Sequence, residues 1–183
     1  MDFWTQLARY SFYETERLTL RPPSFSDAKA FYDIASDKDN LHFVFPSVIS
    51  QEESDYLLTH AFLENPLGIW VICKKGSDKM IGIIRLEKIH LHLLSAEIGY
   101  LLHADFRAHG YMTEALRNVT FLAFQEFGLK ELRIVTHLEN LASQQVALNT
   151  GFKIHKRYKG SDRYTRKTKD YIQYQLSKGD YHE

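Results

Sequence analysis

Apolar and polar positions change period several times along this chain, and each change marks an element. RLTLRPP (Arg17–Pro23) alternates as a short strand that two prolines stop. Ser26 reads as the cap of a helix through Ala35, with Ala30, Phe31 and Ile34 on one face. Ser50 with Glu53 gives a capping-box pattern that opens a second helix, to about Leu63. Ile69–Lys74, Lys79–Glu87 and about Leu94–Leu102 then read as three strands in succession, the first two joined by KGSDK. Links this short favour an antiparallel meander. From Tyr111 to Phe127 the period becomes helical, carried by Met112, Ala115, Leu116, Val119, Leu122, Ala123 and Phe127, with Gly128 as the stop signal. ELRIVTHL predicts a strand, Asn140–Thr150 a helix ended by Gly151, and Phe152–Tyr158 and Asp170–Leu176 two final strands.

The predicted order is β-αα-βββ-α-β-α-ββ. A helix between the fourth and fifth strands is a crossover, which makes its flanking strands parallel. The expected fold class is therefore mixed α/β, an α+β mixed sheet. No repeat, low-complexity tract or Pro/Gly-rich linker interrupts the 183 residues, so one domain is expected.

Composition narrows the partners. Lys+Arg and Asp+Glu both number 23, and a chain without a basic excess is not expected to take nucleic acid as its main partner. A basic cluster does occur late, in KIHKRYKG and DRYTRKTK, a pattern that more often marks a solvated face than a binding site. The single cysteine, Cys73, allows no intramolecular disulfide and reads as a buried structural thiol in IWVICKK. No apolar run reaches membrane-spanning length, and MDFWTQLARY lacks the apolar core of a signal peptide. No membrane partner and a cytoplasmic location are the expectations. His90 and His92 stand apart from any Cys/His/carboxylate set, so no metal is expected.

The chemistry gathers in LLHADFRAHGYMTEALRNV, where a strand, a polar loop and a long helix meet. The first turn of a helix offers backbone N–H groups and the positive end of the helix dipole. Gly110 lets the loop fold around an anion, and Arg107 adds charge and bidentate hydrogen bonds. Neither G-K-[ST] nor G-x-G-x-x-G accompanies it. Taken alone, one glycine before a helix is equally well a purely structural boundary.

The surrounding motifs carry more. AEIGYLLHADFRAHGYMTEAL resembles the acetyl-CoA motif of the GNAT superfamily of N-acetyltransferases, Gln/Arg-x-x-Gly-x-Gly/Ala, here Arg107-Ala108-His109-Gly110-Tyr111-Met112. Met112 departs from the consensus, yet methionine followed by TEA is similar to the branch containing ribosomal-protein N-terminal acetyltransferases. ETERLTLRPPSFSDA resembles that branch's opening strand, and NLASQQVALNTGF its downstream Asn-x-x-Ser…Gly-Phe motif. The resemblance runs from about Thr15 to Leu176. It implies a sheet splayed between the fourth and fifth strands, with the pantetheine arm of acetyl-CoA pairing with backbone at Tyr100, Leu101 and Leu102. It also implies pyrophosphate on the amides of Arg107, Ala108, His109, Gly110, Tyr111, Met112 and Thr113. Family dimers often use the final strands, so a homodimer is an expectation by analogy.

Amine acetylation needs a neutral amine, a polarised thioester carbonyl and a proton for the departing thiolate. By resemblance, Glu97 stands where several family members place a carboxylate base, acting directly or through water. Its bland alternative is a strand glutamate paired with Arg85 or Arg133. A backbone N–H of the splayed strand would stabilise charge developing on the carbonyl oxygen. Asn140 and Ser143 share a helix face. The resemblance implies that Asn140 touches the pantetheine arm and that Ser143 serves as proton donor, although Asn140 in ENLAS equally fits a helix cap. Relatives with a tyrosine acid carry it where this chain has Ala147, and an acid is not strictly required. His137, at the end of the fifth strand, is a reserve base, and His109 faces the cofactor phosphates or solvent. Phe43, Phe45 and Trp70 either line the acceptor pocket or belong to plain core.

The resemblance thus implies acetyl transfer from acetyl-CoA to a primary amine in a ternary complex. A protein or peptide N-terminus is the leading acceptor. A small amine such as an aminoglycoside, polyamine or amino-acid derivative is an alternative, as is a non-catalytic acyl-CoA-binding sensor.

Overall fold

Strand and helix periods separate along the chain much as their spacing predicts, and they assemble into one mixed sheet with helices on both faces. The computed structural model describes residues 1–41, 48, 50–162 and 165–183; Phe43 and Phe45 lie outside them. Among the described residues the strands are β1 (Tyr13–Glu14), β2 (Leu18–Arg21), β3 (Ile69–Lys74), β4 (Gly82–His90), β5 (Ser95–Leu102), β6 (Glu131–His137), β7 (Lys153–Ser161) and β8 (Thr168–Ser177). They lie in the order β1-β2-β3-β4-β5-β6-β8-β7. The helices are α1 (Phe3–Arg9), α2 (Ala28–Ala35), α3 (Lys38–Leu41), α4 (Gln51–Leu58), α5 (Tyr111–Gln125) and α6 (Leu141–Asn149).

Every neighbouring pair of strands is antiparallel except β5 with β6. That exception follows from α5, because only a crossover returns the chain to start a parallel neighbour. The parallel pairing is short: Ser95↔Glu131, Ala96↔Leu132 and Glu97↔Arg133. Beyond Glu97 the two strands part, as expected for a splayed sheet.

Period-two alternation sorts side chains onto the two faces. On one face Leu18, Leu20, Trp70, Ile72, Ile84, Ile98, Leu132 and Ile134 pack with Ala115, Leu116 and Val119 of α5. On the other, Val71, Cys73, Ile83 and Leu101 pack with Phe31 and Ile34 of α2 and Leu58 of α4. Trp70 is core and lines no acceptor pocket: it is fully buried, and its indole N–H donates to the Tyr10 carbonyl at 2.9 Å. Cys73 is buried too, and burial pushes its thiol pKa up, which suppresses the reactive thiolate.

Several boundaries differ from the sequence reading for local reasons. MDFWTQLARY forms α1, because the Asp2 side chain caps it by accepting from the Thr5 amide and Leu7 anchors it in the core. The cap before α2 is Ser24, not Ser26. Ser24 and Asp27 form a reciprocal capping box on the 3-10 turn Phe25–Asp27, and Arg21 clamps the Asp27 carboxylate at 2.6 and 3.0 Å. The second helix does reach Leu63, but its last turn, Thr59–Leu63, is π-wound. β4 begins at Gly82 instead of Lys79; a Cβ there would stand 2.5 Å from the Leu101 carbonyl oxygen across the strand pair.

Candidate active site

The loop between β5 and α5 is shaped by two residues in the left-handed region, Ala108 (φ 63) and Gly110 (φ 78). Glycine adopts that conformation without strain, whereas alanine holds it only when its surroundings impose it. Here the imposing contact is Arg17, at the start of β2. Its guanidinium donates to the His109 carbonyl at 2.9 Å and to Glu114 of α5 at 2.7 Å, and it lies 4.7 Å from the Tyr111 ring centroid. Glu114 also accepts from the Thr15 hydroxyl and the Arg17 amide. Burial pushes the Glu114 carboxyl pKa up, but those hydrogen bonds and the Arg17 charge outweigh it and hold it below its ordinary value.

Gly110 caps α5 with no side-chain hydrogen bond, so no side chain of the cap covers the positive end of the helix. A Cβ at this position would approach Arg17 Nη2 to 3.3 Å. Above the turn lies a cavity of about 640 Å³ between β5, α5 and α6, within the size range of small-molecule and cofactor sites. Tyr100, Leu101, Leu102, Arg107, Ala108, Gly110, Tyr111, Met112, Thr113 and Asn140 all line it. His109 does not; its carbonyl is held by Arg17, and its ring lies by Tyr111. Met112 is buried in the core, so its departure from the glycine or alanine of the motif fills the α5 packing face. Residues and shape fit an anionic, nucleotide-like ligand: a cationic helix terminus, a close-approach glycine and a largely apolar channel toward the gap.

The gap between β5 and β6 joins this cavity to a second one, of about 430 Å³, and Tyr100, Leu101, Asn140 and Ser143 line both. At this junction the Tyr100 hydroxyl donates to the Ser143 carbonyl at 2.7 Å, and the Ser143 hydroxyl lies 3.2 Å from it. Burial pushes the Tyr100 phenol well above its usual pKa, so it stays a neutral donor. Asn140 is the cap of α6, accepting from the Ser143 amide at 3.1 Å. Ala147 is fully buried and offers no acid.

The second cavity opens on the α2/α4 face. Cross-strand register lays out its floor as rows, one of them Tyr158, Tyr171 and His137. The His137 imidazole lies 3.4 Å from the Asp162 carboxylate, with both side chains about 10% exposed. Another row joins Gln175, Arg133, Glu97 and Glu87. Glu97 pairs with Lys88 at 3.3 Å, whereas the expected partners are engaged elsewhere, Arg85 with Glu87 and Arg133 with Glu131. Continuing the parallel register past Glu97 sets His137 level with Leu101. Glu97 is four residues lower, roughly 13 Å at 3.3 Å per residue.

Asp162, Tyr158 and Tyr171 escaped the sequence reading because they reach the cavity only through β7–β8 pairing. Arg17 and Glu114 escaped it because 97 residues separate the partners. The only available signal was charge in the first turn of α5. Among the described residues no cluster of His, Cys, Asp and Glu could hold a metal, and no helix is long and apolar enough to cross a membrane.

Comparison with known proteins gives this geometry its context. Residues 17–153 match the model of the GNAT acetyltransferase domain. The chain is 27% identical over 143 residues to Uncharacterized N-acetyltransferase YoaA of Bacillus subtilis, covering 76% of this chain and 81% of that protein. It is 33% identical over 75 residues, 41% of this chain and 42% of the other, to the ribosomal-protein-serine acetyltransferase of Escherichia coli. Among solved structures, a GNAT-family acetyltransferase from Bacillus anthracis superposes with a TM-score of 0.81 at 21% identity, covering 92% of this chain and 99% of that one. RimL, a ribosomal alpha-N-protein acetyltransferase in complex with coenzyme A, superposes with a TM-score of 0.77 at 22% identity, covering 89% and 95%. The chain belongs to the GNAT family and is an acetyl-CoA-dependent acetyltransferase.

Proposed function

We propose that this enzyme acetylates the N-terminal amine of a protein or peptide. The observation that carries the reading is the course of the acceptor cavity, which leads from the β5–β6 gap past Tyr158 and Tyr171 onto the exposed strand β7. A polypeptide can present its first residue to the gap while the rest of its chain leaves along that surface. The stretch of similarity to a ribosomal-protein-serine acetyltransferase supports the same acceptor.

Acetyl-CoA would lie in the larger cavity, its pyrophosphate on the amides between Arg107 and Thr113 and its pantetheine arm beside Tyr100–Leu102 and Asn140. The amine attacks the acetyl carbonyl carbon directly, and a C–N bond forms as the C–S bond breaks. Glu97 takes the ammonium proton through water, since its register level sets it below the gap. Ser143, hydrogen-bonded to the neutral Tyr100 phenol, gives its proton to the departing thiolate and is restored by the second proton that the nitrogen loses as it becomes an amide. His137 is the second candidate base, favoured by standing level with the gap and beside Asp162.

A thiol-release assay across peptide N-termini and small amines tests the acceptor, and efficient turnover of small amines but not of peptides would refute it. In the same assay Glu97→Gln and Ser143→Ala should each lower kcat about 100-fold, the usual scale of general acid–base catalysis. Unchanged turnover in Glu97→Gln with loss in His137→Gln would transfer the base to His137.

A further inference from the structure

Between Lys153 and Lys169 the sequence carries eight Lys and Arg residues against one acidic residue, Asp162. In a chain with 23 residues of each sign, this concentrates positive charge on one hairpin. β7 is an edge strand of the sheet, and its residues from Lys153 to Lys159 are exposed on both faces. Acetyl transfer itself uses none of these cations.

Register fixes which of them face the acceptor side. Tyr158 and Gly160 line the acceptor cavity, and Lys156 shares their face, its ammonium 5.3 Å from the Tyr158 ring centroid. Past the bulge, Lys153 stands opposite Gln175, which stands opposite Arg133, so it shares that face as well. The nearby carboxylate on this floor, Glu131, is already held by Arg133 and Gln175. We infer that Lys156 and Lys153 form the docking row for an acidic polypeptide, whose residues after the acetylated one run from the cavity along β7.

The order of charges selects this partner. The cavity balances its carboxylates, Glu87 with Arg85, Glu97 with Lys88 and Asp162 beside His137, whereas the excess of positive charge begins beyond it on β7. A nucleic acid would bring phosphates to those carboxylates and has no aliphatic amine to offer. Strand geometry also sets the spacing, with Lys156 roughly 7 Å and Lys153 roughly 16 Å from Tyr158 along the strand. An extended peptide rises at nearly the same rate, so acidic residues at roughly its third to seventh positions meet the row. The inference rests on the N-terminal acceptor reading, and the experiment separates the two.

Two twelve-residue peptides with free N-termini and a C-terminal fluorophore share their first two residues, one having Glu and the other Gln at positions three to seven. Their binding to the coenzyme A complex is followed by anisotropy. The acidic peptide should bind about tenfold more tightly at 50 mM salt, an advantage that shrinks at 500 mM. Lys153→Glu/Lys156→Glu should abolish the advantage and leave the neutral peptide unaffected, while Lys79→Glu on the distant β3–β4 turn retains it. Equal binding of the two peptides, an advantage that survives the double substitution, or preferential binding of polyuridylate would overturn the docking row. Acetylation of both peptides with equal affinity leaves the acceptor reading standing and removes the row. Tight binding of the acidic peptide without acetylation supports the row and removes the acceptor reading.

Discussion

Glu114 makes the loop between β5 and α5 dependent on a residue that touches no part of the cavity. It ties the start of β2 to the first turn of α5, and through Arg17 it fixes the carbonyl of His109. Its carboxyl is held below the ordinary value, so its contribution to stability is fully present above that value and is lost as pH falls through the lowered one. Glu114→Gln should therefore lose less stability than the parent between pH 6 and pH 3, as read by urea midpoints; equal losses would refute the linkage. The same variant should raise the KM for acetyl-CoA about tenfold at pH 7, because a charge-assisted clamp on the loop has gone. None of this was legible in the sequence, which shows Arg17 and Glu114 as ordinary charged residues far apart. The placement of Arg107 and Gly110 at the head of α5 was legible because it is local, set by the strand, loop and helix on either side. Glu97 falls between these cases: its position on β5 was foreseen, but its pairing with Lys88 depends on the bulge that displaces the end of β4.

At the scale of elements, the start of α5 is where backbone conformation and the proposed pyrophosphate site coincide. Gly110→Ala would place a side chain at φ 78, at a strain of about 1–2 kcal/mol, and would press on Arg17. The expected result is a lower urea midpoint together with at least about tenfold weaker acetyl-CoA binding by calorimetry. Undiminished binding would show that the ligand does not use this turn. Periodicity was a reliable guide to α5, β3, β5 and β6, where burial on a defined face dictates the pattern. It failed at α1, whose two-turn length and mixed composition give little period to read, and at the cap of α2. There Ser24 and Ser26 are equivalent in sequence, and Arg21 decides between them by clamping Asp27.

Across the whole molecule, the crossover of α5 was enough to predict a parallel pair, but not how soon that pair ends or which residues the two cavities share. These depend on the paths of β5 and β6 after Glu97 and on the α6 cap at Asn140. The contribution of β7 and β8 to the second cavity was hidden for a related reason. Its residues are exposed and polar, and only sheet order places Tyr158, Tyr171 and Asp162 beside His137. The short parallel seam has a consequence for motion. Within the sheet only three residue pairs join β5 to β6, so two backbone edges face each other in its middle, where other sheets carry continuous hydrogen bonding. In the placement proposed above, the pantetheine arm would fill this opening much as a strand would. Those amides of residues 98–102 and 134–137 that face the gap, and not the alternate ones bonded to β4 and β8, should exchange with deuterium fastest within β5 and β6 in the empty enzyme, and slow on addition of acetyl-CoA, while those of Ala96 and Leu132 change little. The donor substrate would then be a seasonal part of the architecture, completing the middle of the sheet each time it binds and leaving it divided after each turnover.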